Sequence, residues 1–240
     1  ARVEFYNGAT LIGTATGAPY TYTWSNVPAG SYTITAKATD NYGFSSTTSA
    51  VSVVSNAPPT ISLANPSDNT VVAAPGSFTL SANAADSDGS IAKVEYYNGT
   101  ALIGTATAAP YSYTWSNVAA GIYTITAKAT DNHGASTAST QINVISDTPP
   151  SVGITAPAAN SVATAPAGFT LTADAASSMS TIARVEFYNG ATLIGTATAA
   201  PYTYTWSNVP AGSYTITAKA TDGYGITNTS AAINVVSNAT

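Results

Sequence analysis

The sequence predicts an all-β chain of tandem sandwich modules. Three observations carry that reading: a strict internal repeat, an apolar alternation of period two, and turn residues at short, regular intervals. The 240 residues repeat every 91: Trp24, Trp115 and Trp206 keep that spacing, as do Asp40, Asp131 and Asp222. Self-similarity at a fixed period with no insertion between copies is the mark of a modular array. It divides the chain into one module over 58–148, another over 149–240, and, over 1–57, the back part of a third whose first strands are missing. The chain is therefore expected to be a piece of a longer array. Each junction, Ala57-Pro58-Pro59-Thr60 and Thr148-Pro149-Pro150-Ser151, carries two prolines, which favour a short, semi-rigid link.

Within the copy at 58–148 the alternation gives the strands in order. Ile61 and Leu63 mark the first. Phe78, Leu80, Ala82 and Ala84 alternate with polar or small residues in the next. Ala92, Val94 and Tyr96 then share one face, with Lys93, Glu95 and Tyr97 on the other, and Lys93 and Glu95 are read as a cross-strand ion pair. Tyr111, Tyr113 and Trp115 lie on one face of a fourth strand, and that face is assigned to the core. Tyr123, Ile125, Ala127 and Ala129 line a fifth, and Gln141 to Ile145 form a last. This is the period of a half-buried strand. Asn98-Gly99 falls between two strand runs as a hairpin turn. Ala120-Gly121 and Asn132-His133-Gly134 mark two more turns. No segment has helical periodicity. About seven short strands in ~90 residues, punctuated every 8–12, indicate an immunoglobulin-like β-sandwich. Tyr123, just after the Gly121 turn, stands where such folds place a tyrosine corner.

Composition narrows the function classes. Charged residues are 7% of the chain, against about 25% in ordinary soluble domains. Six Lys and Arg residues and no basic run argue against nucleic-acid binding. No apolar stretch is long enough for a membrane-spanning helix, so no membrane insertion is expected in this segment. With no cysteine, each module must rest on core packing alone.

The strings VEFYNGATLIGTAT (from Val3) and APYTYTWSNVPAGSYTITAKATDNYG (from Ala18) resemble the bacterial Ig-like repeats of large surface proteins and of secreted polysaccharide-degrading enzymes. The resemblance covers the whole chain. It implies an extracellular or cell-surface location and a spacer or adhesive role.

Catalysis is not expected. His133 is the sole histidine, and its counterparts in the other copies are Tyr42 and Tyr224, so no catalytic residue is assigned. The best chemical candidate is calcium in the 58–148 module. Asp86-Ser87-Asp88-Gly89 places two carboxylates one residue apart before a glycine turn, and Asp131 is able to join from a neighbouring loop. A solvated turn is the competing reading, and it gains weight because the next copy has Ser177 and Met179 at those positions. Asp40, Asp131 and Asp222 also read as turn caps that hold backbone amides. Tyr6, Tyr97 and Tyr188 lie on the polar face beside the Asn-Gly turn and are candidates for glycan or self-contact.

Three functions follow from this reading. The first is a structural or adhesive extracellular array, a stalk or filament-forming segment of a bacterial surface protein. The others are a spacer module of a secreted polysaccharide-degrading enzyme and a carbohydrate-binding module. The partners expected are neighbouring repeats or further copies of the chain, and extracellular glycans.

Overall fold

A computed structural model describes residues 1–239, and every regular element among them is a β-strand. The first segment holds β1 (Arg2–Asn7), β2 (Thr10–Ala15), β3 (Gly30–Thr39), β4 (Ser45–Thr47) and β5 (Val51–Ser55). They make one antiparallel sheet of order β2-β1-β3-β4, with β5 also paired to β3.

The second segment folds into β6 (Thr60–Asn65), β7 (Thr70–Ala73), β8 (Gly76–Ala85), β9 (Ile91–Asn98), β10 (Ala101–Ala106), β11 (Ser112–Val118), β12 (Gly121–Asp131), β13 (Ser136–Ala138) and β14 (Ile142–Asp147). One sheet runs β10-β9-β12-β14-β7, with β13 on β12, and faces a second of order β11-β8-β6. The third segment repeats this with β15 (Ser151–Ala156), β16 (Ser161–Thr164), β17 (Ala167–Ala176), β18 (Ile182–Asn189), β19 (Thr192–Ala197), β20 (Tyr202–Val209), β21 (Gly212–Asp222), β22 (Thr227–Thr229) and β23 (Ile233–Asn238).

The core lies between the two sheets, where alternation sends every second side chain inward. Phe78, Leu80 and Ala82 from β8 meet Val94 and Tyr96 from β9, and Ile125, Ala127 and Ala129 from β12. Phe169, Leu171, Val185, Phe187 and Ile216 form the same core one repeat later. Burying such side chains supplies roughly 25 cal/mol per Å² of apolar surface, which is what holds a cysteine-free sandwich. The aromatic face assigned to the core packs there, though Tyr111, Tyr113 and Trp115 are only half-buried.

Three details differ from the sequence reading. Ala92 is exposed, and Ile91 packs on the core in its place. The cause is an irregularity at the end of the β9–β12 ladder, where the register shifts between Thr130 and Asp131 and Asp131 comes opposite Ile91. Lys93 and Glu95 pair at 2.8 Å along one strand rather than across two. Residues two apart on a strand share a face, and Arg2–Glu4 and Arg184–Glu186 repeat the arrangement at 3.3 and 3.4 Å. Finally, β7 adds to the sheet edge in parallel with β14, Thr70 facing Val144. The alternation does not show it, because a four-residue parallel edge is too short to carry a pattern.

The tyrosine corner is present in all three segments. The hydroxyls of Tyr32, Tyr123 and Tyr214 donate to the carbonyls of Pro28, Ala119 and Pro210, each four residues earlier, at 2.8, 2.9 and 2.8 Å.

Candidate functional site: the module junctions

Each long strand, β3, β12 and β21, leads into an aspartate that caps the next turn. Asp40 Oδ1 accepts the amides of Tyr42 and Phe44, both at 2.9 Å. Asp131 Oδ1 accepts those of His133 and Ala135 at 2.8 and 2.9 Å. Asp222 Oδ1 accepts those of Tyr224 and Ile226, both at 3.0 Å. One carboxylate oxygen is thereby committed to the turn. In Asp131 and Asp222 the other oxygen faces the end of the preceding module, so the caps are also the contact points between modules.

At the first junction that second oxygen is well met. Asn56 Nδ2 donates to Asp131 Oδ2 at 2.7 Å, and the Ala57 amide donates to Asp88 Oδ2 at 3.1 Å. The Asp86–Ser90 loop is fastened to the cap in turn: Asn132 Oδ1 accepts the Ser90 amide at 2.8 Å, and the Asn132 amide donates to the Ser90 carbonyl at 2.9 Å. Asp131 is only 2% exposed. Burial alone raises a carboxyl pKa, but the bonds from Asn56 and from the turn amides outweigh it and hold Asp131 below the usual carboxylate value.

The same arrangement bears on the calcium expectation. Both oxygens of Asp131 already accept N–H donors, and one oxygen of Asp88 holds the linker amide. Among the described residues, no group of three or more His, Cys, Asp or Glu side chains is placed to hold a metal ion. Asp131 and Asp88 thus meet the end of the preceding module at this junction, and Asp86 lies in the adjoining loop. Among the described residues, neither carboxylate oxygen of Asp86, nor Asp88 Oδ1, has a hydrogen-bond partner.

The second junction has the same backbone and different chemistry. Asp147 stands 91 residues after Asn56 and takes its place against Asp222. Asp147 is fully buried and Asp222 is 2% exposed. Among the described residues, both oxygens of Asp147 and Oδ2 of Asp222 are buried and lack a well-formed hydrogen bond, the neighbouring Thr148 amide giving Asp147 only a weak opposing pull. Burial, reinforced by the facing Asp222 carboxyl, pushes Asp147 up to about 6. The linker is held here by Asn228, whose Nδ2 donates to the Pro150 carbonyl at 2.9 Å. Met179 occupies the position of Asp88, so the carboxylate hold on the linker is absent. The sequence contained this contrast at equivalent positions of the repeat, but only the docking of the modules brings Asn56 to Asp131 and Asp147 to Asp222.

Tyr6, Tyr97 and Tyr188 are half-buried on the outer sheet face beside the Asn-Gly turns. Tyr188 borders an open hollow of about 300 Å³ with Ala191, Thr217, Lys219 and Thr229.

The comparisons agree with this architecture. The bacterial Ig domain model matches residues 1–36, 59–127 and 150–218, in the same 91-residue register. The fibronectin(III)-like modules of Clostridium thermocellum CbhA are similar at 28% identity, with a TM-score of 0.51, over 75% of this chain and 95% of theirs. The three N-terminal domains of the bacteriophage RB49 Highly Immunogenic Outer Capsid protein share the fold, with 12% identity and a TM-score of 0.50 over all of this chain and 88% of theirs. No curated protein matches in sequence.

Proposed function

Since the chain belongs to the bacterial Ig domain family, whose modules are commonly structural or spacer units and generally extracellular, we propose that it is a load-bearing segment of an extracellular array on a bacterial surface protein. The observation that supports this reading is the fastening of consecutive modules. A part-buried side-chain bond from Asn56 to Asp131, and the Ala57 amide bond to Asp88, join the end of one module to the next. Two prolines in each linker limit its freedom. Modules joined this way hold their relative orientation, which a stalk or filament requires and a loosely tethered binding module does not. Adhesion, in this reading, comes from presenting many copies at a distance from the cell.

Stretching the chain in a single-molecule force experiment tests the proposal. A stalk segment shows repeated unfolding events of equal length, each releasing about 91 residues, roughly 300 Å of contour at ~3.3–3.6 Å per residue. Unfolding of all modules at forces too low to resolve would overturn it.

A further inference from the structure

The two junctions are built on one backbone plan and differ at several side chains, of which the Asn56/Asp147 pair decides the charge. Where Asn56 offers Asp131 an N–H donor at 2.7 Å, Asp147 offers Asp222 another carboxyl. Two ionised carboxylates cannot occupy that place comfortably. Both are buried, and among the described residues three of their four oxygens lack a well-formed hydrogen bond, the Thr148 amide only partly relieving Asp147. Like charges in low dielectric repel strongly, and buried unpaired acceptors are costly. A single proton removes both problems. The protonated carboxyl donates its O–H to the other carboxylate, leaving one negative charge spread over the pair and one hydrogen bond between them.

We propose that the second junction is latched by a proton shared between Asp147 and Asp222, which makes it an acid-closed joint, whereas the first junction, closed by an amide, stays shut through the same pH range. This inference goes beyond the load-bearing role and does not require it.

The surroundings leave the pair to itself. β14 carries no charge before Asp147, and β7, against which it packs, runs Thr70–Ala73. The start of β12 facing the end of β14 is Gly121 and Ile122. From β21 and its turn come Asp222 itself and Tyr224. On β18, Ile182 is opposite Asp222, and the next charge along, Arg184, is paired with Glu186. Among the described residues, therefore, no Lys or Arg sits against the pair as a counter-ion, and Asp222 is the charge that acts on Asp147.

The direction of the pH response follows. A carboxyl whose value rises on docking, from 3.8 to about 6, favours the docked state fully below pH 4, and that contribution is lost as pH climbs through 6. The change is on the order of 100-fold in the docking equilibrium.

The chain has no cysteine, so paired dye labels on the full chain are unambiguous. Labels at Thr114→Cys and Thr205→Cys span the second junction, and labels at Thr23→Cys and Thr114→Cys span the first. All three positions are exposed. The distance distribution across the second junction should be narrow at pH 4.5 and broaden by pH 7.5, with a midpoint near 6. The distribution across the first should not change over that step. Asp147→Asn, which recreates the Asn56 arrangement, should keep the second junction narrow at both pH values. Three outcomes would overturn the proposal. The first is a wild-type distribution that does not change with pH. The second is a response that survives Asp147→Asn. The third is a narrow distribution at pH 7.5 that appears with Ca²⁺ and vanishes with chelator, which would make the pair a cation site instead.

Discussion

The ring of Tyr123 stands edge-on to Trp115, centroids 5.0 Å apart at 79°, while its hydroxyl donates to the Ala119 carbonyl at 2.9 Å. The same geometry joins Tyr214 to Trp206 and Tyr32 to Trp24, also at 5.0 Å. One side chain thus pins a loop with its polar end and packs on the tryptophan with its apolar body. Tyr123→Phe keeps the packing and loses the bond, so it should destabilise the second module by about 1 kcal/mol. Tyr214→Phe should do the same to the third. Thermal melts of each variant check this, and a loss of several kcal/mol would mean that the corner does more than fasten a loop.

Phe78 and Trp115 lie against each other, centroids 6.1 Å apart, but they are not equally enclosed. Phe78 is 2% exposed, while Trp115 is half-buried. Phe78→Ala should therefore cost about 3–5 kcal/mol, and Trp115→Ala less, about 2–3 kcal/mol, because part of its surface never leaves water. Thr114→Ala, on the exposed face, should change stability by well under ~1 kcal/mol. Denaturant titrations order the three.

Gly104 faces the ring of Tyr113 so closely that a Cβ would sit 2.5 Å from its carbons, and Gly13 and Gly195 meet Tyr22 and Tyr204 in the same way. Gly104→Ala must displace a large ring packed on the core, and should cost roughly 1–3 kcal/mol. Gly168→Ala, where nothing lies within 4 Å, serves as the control, and its melting temperature should move far less.

The junctions should respond to acid in opposite senses. The Asp131 carboxylate is held below its usual value, so its contribution is present above that usual value and lost as pH falls through the depressed one. Asp147 is raised, so its contribution is present in acid and lost as pH rises through about 6. Carboxyl carbon chemical shifts followed by NMR should show Asp147 titrating near 6 and Asp131 titrating below the ordinary carboxylate range. Similar midpoints for both would remove the contrast between the two junctions.

Much of this was legible in the sequence because a sandwich writes itself in period two. Leu80, Val94 and Ile125 are fully buried, as their alternation requires, and the Asn98-Gly99 turn closes its hairpin. The exceptions have local causes. Ile91 displaces Ala92 from the core because the ladder slips at Asp131, and a one-residue slip exchanges the faces of a strand. The capping role of Asp131 was readable from its place before a glycine turn. Its second role was not, since its partner Asn56 is 75 residues away and only docking of the modules brings them together. The glycine of the repeated Leu-Ile-Gly-Thr run carried a signal of its own, recurring at Gly13, Gly104 and Gly195, but the tyrosine it accommodates lies on another strand.

The central claim is that the first two modules are fastened rather than merely strung together, and residual dipolar couplings on the whole chain test it most directly. At neutral pH, amide couplings from β1–β5 and from β6–β14 should fit one common alignment tensor. Asp131→Ala, which removes the acceptor of Asn56, should split that tensor into two. Separate tensors in the unaltered chain would contradict the account.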